Sequence, residues 1–350
     1  MYSKQFDSQS IATLRQQVCE TQKIVLLSHV NADGDACGSL LGCMLMLDQA
    51  AKQAQKIVPI LPNGLPKSFG WLTGSDRIVS GERELTLCQS LIEEADLILC
   101  LDLNAPSRID FLQEALIKSN AFKVLVDHHH NPASEYFNLV FSDPEISSTC
   151  ELLLWLSLEL WGRDYLNSEV ARCLYTGLRT DTGGFAFSCS QPSCFDAAAL
   201  LVSYDIRPAE IHNRIVNTFS YNRMMFYGFA LSHRLEIYPE QHAALFSFTL
   251  DDQRSYNVTS EDMEGLVNYT LMMEPIEVGA LVREEQGKTK VSLRAKGDVD
   301  VNLLAKQLGG GGHTKAAGAT CFMSMDETVK KVKALMGVEG QEPLKTISAS

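Results

Sequence analysis

The first half of the chain alternates short, continuous apolar runs with longer stretches in which apolar residues recur at helical spacing. Residues 23–28 (KIVLLS), 96–103 (DLILCLDL) and 123–126 (KVLV) are strand-like, and helices are predicted over 36–51, 148–160 and 168–179. Continuously apolar strands separated by helices form a parallel sheet covered on both faces, so the pattern predicts an α/β, doubly wound fold. After Thr182 the pattern changes, with an Ala-rich helix over 194–204 and a second that Pro208 opens and that runs to about Phe219. From about Leu235 it becomes shorter and more strand-like, at 243–249, 278–284 and 290–295, before a helix over 299–308. These shifts predict a larger domain over residues 1–192, a helical connector over 193–234 and a smaller α+β domain over 235–340.

Composition narrows the class. A chain of 350 residues exceeds what one hydrophobic core usually spans, and 45% hydrophobic with 21% charged residues excludes intrinsic disorder. The apolar stretches, such as 152–160, end well short of the ~18 residues that a membrane span needs. The opening MYSKQFDSQS lacks the apolar core of a signal peptide. Ten cysteines include no CxxC pair, which predicts buried free thiols in a reducing compartment rather than structural zinc. A cytoplasmic protein without a membrane partner is expected.

The net charge of −13 is uneven: residues 283–315 carry seven Lys/Arg against four Asp/Glu, so the rest of the chain is the acidic part. A modest basic segment suits a small phosphorylated ligand better than duplex DNA, whose binders neutralise many phosphates at once.

Each of the three strand-like runs ends in side chains able to bind a metal: His29, Asp33 and Asp35 after the first, Asp102 after the second, Asp127, His128 and His129 after the third. In an open parallel sheet the carboxyl ends of the strands line one crevice, so these residues are expected to converge. A single Asp at a strand end is more often a helix cap or turn residue. Three carboxylate-bearing strand ends in one sheet point further, because their mutual repulsion is costly without a cation, and Gly34 is expected to allow a sharp turn between Asp33 and Asp35. Asp181, at a helix C-terminus where a carboxylate is unfavourable, supplies a fourth. Four aspartates and two histidines balance two divalent cations, and ligation without thiolate suits Mn²⁺, with Mg²⁺, Co²⁺ or Fe²⁺ as substitutes. Two such ions are the usual apparatus for directing a bridging hydroxide at phosphorus.

HVNADGD at 29–35, the aspartate of LDLN at 102, DHH at 127–129 and TDTGG at 180–184 resemble, in order, the four motifs of the DHH phosphoesterase superfamily. GGGGHTKAAG at 309–318 resembles the signature of the DHH-associated C-terminal domain. The pairing is most similar to the NrnA-like branch, which acts on very short RNA and on 3′-phosphoadenosine 5′-phosphate. The resemblance implies metal ligation by His29, Asp33, Asp35, Asp102, His128 and Asp181, with His129 facing the scissile phosphate and Asp127 orienting ligands. It also implies that Arg294 contacts a substrate phosphate, for which a planar guanidinium is suited. The glycines Gly310, Gly311 and Gly312 are read as a tight turn with bare N–H groups, and His313 as a charged donor beside them.

The expected activity is therefore release of nucleoside 5′-monophosphates from short single-stranded RNA and dephosphorylation of 3′-phosphoadenosine 5′-phosphate, with a homodimer left open. Alternatives are a phosphodiesterase for cyclic dinucleotides or their linear products, and a single-strand DNA exonuclease of the same superfamily. A pyrophosphatase is disfavoured by the glycine signature, and a catalytically dead nucleotide binder by the complete ligand set. No aromatic cluster in the sequence announces a platform for stacking bases.

Overall fold

The apolar runs of the first half become the strands of one sheet. The structure is a computed structural model that describes residues 6–312 and 314–344. Strands β1 (Lys23–Leu27), β2 (Lys56–Leu61), β3 (Val79–Ser80), β4 (Leu97–Leu101), β5 (Phe122–Asp127) and β6 (Leu139–Ser142) pair in the order β3-β2-β1-β4-β5-β6, all parallel. The sheet is doubly wound and its order reverses between β1 and β4, the place where such sheets open a crevice at their carboxyl ends.

Helices cover both faces: α1 (Ser8–Glu20), α2 (Gly34–Ala50), α3 (Leu85–Glu93), α4 (Gln113–Lys118), α5 (Thr149–Trp161), α6 (Ser168–Asp181), α7 (Pro192–Val202) and α8 (Pro208–Val216). Alternate residues of β1 and β4 serve opposite cores. Ile24, Leu26, Leu97 and Leu99 pack with α2, α5 and α6, and Val25, Leu27, Ile98 and Cys100 pack with α3 and α4. Strands β2, β3 and β6 escape the sequence reading because β2 contains Pro59, β3 has two residues, and β6 is a half-exposed edge.

Helix α2 is apolar on nearly every side and lies against α6 closely enough to exclude side chains. A Cβ on Gly38 would sit 2.5 Å from the Cys173 carbonyl oxygen and 3.0 Å from the Gly177 nitrogen, both backbone atoms. Gly34 belongs to this contact rather than to the expected turn. It is the first residue of α2, and a Cβ there would collide with the Thr180 side chain.

The chain divides into two compact units, the first ending at Thr218 and the second beginning at Phe219. The expected connector over 193–234 is split between them. Helix α7 buries Cys194, Ala197, Leu200 and Leu201 in the core of the first unit, whereas α9 (Tyr221–Phe229) buries Phe226 and Tyr227 in the second. Each helix has an apolar face that must be covered, so neither is a free linker.

The second unit holds β7 (Leu235–Tyr238), β8 (Ala243–Phe248), β9 (Val278–Glu285), β10 (Lys288–Ala295), β11 (Gly311–Gly312) and β12 (Ala316–Cys321), ordered β11-β12-β10-β9-β8-β7. The β8–β9 pair is parallel and the others antiparallel. Its remaining helices are α10 (Leu250–Ser255), α11 (Asn268–Leu271), α12 (Val301–Gln307) and α13 (Met325–Leu335). One sheet face, with Val291 and Leu293, packs on α12 and α13, and the other, with Phe246 and Phe248, on α9. This is the smaller α+β domain that the pattern predicts.

Among the described residues no helix is long and apolar enough to cross a membrane. All ten cysteines are free; Cys19 is exposed, Cys189 is partly buried and the rest are buried.

The α2–α6 contact has a direct test. Gly38→Ala places a methyl against immovable backbone, so it should lower the urea unfolding free energy by roughly 1–3 kcal/mol, the usual cost of overpacking. An unchanged midpoint would show that the helices have room to part.

Candidate active site

Side chains from three strand ends and one helix end meet at the reversal of strand order. His29 follows β1, and its Nδ1 lies 2.8 Å from the Val30 carbonyl oxygen, leaving Nε2 turned inward, 3.3 Å from Asp102 Oδ2. Asp33 is the N-cap of α2: its Oδ1 accepts from the Asp35 and Ala36 N–H groups at 3.0 and 3.1 Å. The capping reading of that residue therefore holds for one oxygen, and the other is spare. Asp35 occupies the first turn of α2 and is fully enclosed. Asp102 follows β4 with φ 58°, a left-handed conformation that costs a non-glycine residue about 1–3 kcal/mol and recurs at functional sites.

His128 is central. Its Nε2 lies 3.4 Å from Asp181 Oδ2, 3.6 Å from Asp102 Oδ1 and 3.9 Å from Asp35 Oδ2. Asp181 reaches this point as the last residue of α6, brought there by the close approach of α6 to α2. Asp127, the last residue of β5, takes hold of His129 twice, accepting from its backbone N–H at 3.1 Å and pairing with its Nδ1 at 2.7 Å. That fixes the ring and leaves Nε2 as its free nitrogen. His130 is exposed, consistent with an ordinary loop residue.

The six side chains sort into two adjoining triplets. His29, Asp33 and Asp102 offer ligand atoms within 4.8 Å of one another, as do Asp35, His128 and Asp181, and Asp102 also groups with His128 and His129. Asp102 thus joins the two sets.

Electrostatics explain why such a cluster needs a cation. Burial first, then the charges of Asp102, Asp181 and Asp33, hold the Asp35 carboxyl well above the usual carboxylate range. Burial, opposed by His128 and reinforced by Asp102 and Asp33, pushes Asp181 up to about 6. Burial acts in the same direction on Asp102, but the hydrogen bond and charge of His29, with His128 and His129, outweigh it and hold that carboxyl at about 2. Asp102 is balanced by the histidines, whereas ionising Asp35 and Asp181 is penalised where no cation is bound.

Sequence reasoning missed two contributors. The N-terminus of α5 points its first N–H groups at Asp35: Thr149 N donates to Oδ2 at 2.7 Å and Cys150 N to Oδ1 at 2.9 Å. Thr149 Oγ1 donates to Asp102 Oδ1 at 3.0 Å. The signal in the sequence was Ser148 three residues before Glu151, a helix-start pattern that marks the element but not its target. Arg108 is the other. Its carbonyl accepts from Val30 N at 2.9 Å, beside His29, its positive charge reaches His129, and its guanidinium has no ion pair with a described residue.

The remaining expected residues belong to the second unit. Arg294 lies in β10 opposite Ala316 of β12, partly buried, with Nη1 donating to the Leu293 carbonyl at 3.0 Å, and burial lowers its pKa. The glycine run differs from the expected turn. Gly311 and Gly312 form β11, paired with Gly318 and Ala317 of β12. The pairing requires glycine because a Cβ on Gly310 would strike the Gly318 carbonyl, and one on Gly312 would lie 2.6 Å from the Ala316 carbonyl. His313 lies outside the described residues.

The model of the DHH family, N-terminal domain, matches residues 23–178, and that of the DHHA1 domain matches 243–337. The chain is 29% identical over 314 residues to the bifunctional oligoribonuclease and PAP phosphatase NrnA of Thermus thermophilus, covering 88% of this chain and 87% of that one. It is 28% identical to the NrnA of Bacillus subtilis, over 87% of this chain and 90% of that protein. Among solved structures, an exopolyphosphatase-related protein from Bacteroides fragilis superposes with TM-score 0.91 at 34% identity, covering 96% of this chain and 98% of that one. The chain belongs to the DHH family and carries a DHHA1 domain at its C-terminal end.

Proposed function

We propose that this protein is a metal-dependent phosphoesterase that trims very short single-stranded RNA to nucleoside 5′-monophosphates and dephosphorylates 3′-phosphoadenosine 5′-phosphate. The observation that carries the reading is the division of six side chains into two adjacent ligand triplets joined by Asp102. The activities for which the NrnA relatives are named agree with it.

The donor set fits divalent cations: oxygen and imidazole ligands, no thiolate, and carboxylates whose charge is unbalanced without one. Two Mn²⁺ ions, with Mg²⁺ or Co²⁺ as substitutes, would be held by His29, Asp33 and Asp102 and by Asp35, His128 and Asp181, supplying Lewis acidity to phosphoryl oxygens and an activated water. The chain's own residues do the rest. Thr149 and the α5 N-terminus hold Asp35 and Asp102 in their ligating orientation, a supporting role that metal sites generally depend on. Asp127 fixes the His129 ring so that Nε2 can bond a phosphoryl oxygen or return a proton to the departing ribose oxygen. In the second unit, Arg294 anchors a substrate phosphate through its planar fork, with the edge of Gly310–Gly312 and His313 beside it in the chain. The acidic body disfavours duplex DNA, and the buried thiols suit the reducing cytoplasm.

Three outcomes follow. A product time course on RNA of two to twenty nucleotides with Mn²⁺ should show stepwise monophosphate release, and Asp102→Asn or His128→Ala should cut it at least about 100-fold with the circular dichroism spectrum unchanged; retained turnover would refute the ligand assignment. Thr149→Val should weaken Mn²⁺ binding, measured by calorimetry, by roughly 10- to 100-fold, and Thr149→Ser should largely restore it. Arg294→Ala should raise KM for a dinucleotide about 10-fold or more, with a smaller effect on bis-p-nitrophenyl phosphate; equal losses on both would remove the anchoring role.

A further inference from the structure

The loop that leaves the active site bends in a way that most residues resist. Beyond Asp181, Gly183 and Gly184 adopt left-handed conformations (φ 57° and 75°), and so do Phe185 (φ 68°) and Ser188 (φ 48°), for which that region is strained. The strain is held by one buried residue. The Thr182 carbonyl accepts from Ala186 N and Phe187 N at 2.8 and 2.9 Å, and its hydroxyl oxygen accepts from Phe185 N at 3.1 Å.

This wiring sends two aromatic rings in different directions. Phe185 turns inward, stacking on Phe195 at 5.6 Å and leaning on Tyr175 at 6.4 Å. Phe187 turns outward and stays 67% exposed, the Cδ2–Cε2 edge of its ring set against Gly183, where an added Cβ would come within 2.5 Å of Cδ2. Thr182, which accepts from the Phe187 N–H, directly follows Asp181, so the ring is carried on the segment that leaves the cluster of carboxylates and histidines. Exposure of two thirds of a phenylalanine forfeits much of the burial that stabilises such side chains elsewhere, and here it is accompanied by backbone strain rather than by relief. A largely exposed ring with only one edge resting on bare glycine, on a pinned loop, is a preformed stacking surface.

We propose that Phe187 stacks the nucleobase of the nucleotide whose phosphate enters the metal centre, a role that rests on the phosphoesterase reading above. Aromatic stacking accepts every base, because each has a π-face, and so tolerates sequence while still requiring a base. The same platform serves a dinucleotide and an adenosine bisphosphate alike, as both bring a planar base at a fixed remove from a phosphate. It also separates these substrates from pyrophosphate, which has no base to place.

The test couples ring to base. KM and kcat are measured for wild type and Phe187→Ala on diadenosine RNA dinucleotide and on its analogue with the base at the reacting nucleotide replaced by hydrogen. Removing the ring should raise KM on the natural dinucleotide roughly 5- to 100-fold, more than it lowers kcat, and most of that factor should vanish on the baseless analogue. Phe187→Trp should retain wild-type KM, and a merely structural ring would not show this rescue. Equal penalties on both substrates, or none on either, would overturn the proposal. Direct binding of a 2-aminopurine dinucleotide gives a readout independent of turnover: its fluorescence should be quenched by wild type and Phe187→Trp but not by Phe187→Ala. Absence of quenching with bound wild type would overturn the stacking role even if hydrolysis proceeds, whereas quenching without hydrolysis would count against the phosphoesterase reading alone.

Discussion

The near-contact of α2 with α6 is the constraint from which the first unit takes its chemistry. The two helices carry ligands at opposite ends, Asp35 in the first turn of α2 and Asp181 at the last residue of α6, so their carboxylates can share His128 only if the backbones almost touch. Gly177 shows how little room is left, since a Cβ there would meet Asp35 Oδ1 at 2.7 Å. Small residues at a helix crossing usually serve packing alone. Here they also set the spacing of a polar centre, and the apolar faces of α2 and the sheet supply the free energy that holds it.

That free energy works against repulsion. Asp35 and Asp102 are buried, Asp181 is partly so and Asp33 lies at the exposed rim, with three histidines that ease the charge unevenly, Asp102 being favoured and Asp35 and Asp181 penalised. Backbone N–H groups from α5 soften the penalty at Asp35, where a helix N-terminus is as favourable a neighbour as an uncharged group can be. The fold thus stores an incompletely neutralised anionic site, poised for cations.

Much of the site was legible in the chain alone. The strand-end positions of His29, Asp102 and His128 follow from hydrophobic pattern, and their convergence from the rule that parallel strands present their carboxyl ends together. The glycine run was legible as important but misread in form. Four glycines look like a turn because sequence shows their lack of side chains and not what approaches them; in the fold they make a strand pressed against the β12 backbone. The connector was misread for a similar reason, since an amphipathic helix does not announce which core its apolar face will join.

The amino-acid order by itself determined the class of fold, the donor types and the elements that carry them, because periodicity and strand-end chemistry are local properties of the chain. Tertiary packing decided which groups became partners: Thr149 and Cys150 at Asp35 and Asp102, more than a hundred or nearly fifty positions away in the chain, the Arg108 carbonyl at Val30, and the outward ring of Phe187 on a glycine bend. Those relations depend on distances between segments remote in sequence, and a distance of that kind exists only once the cores have closed.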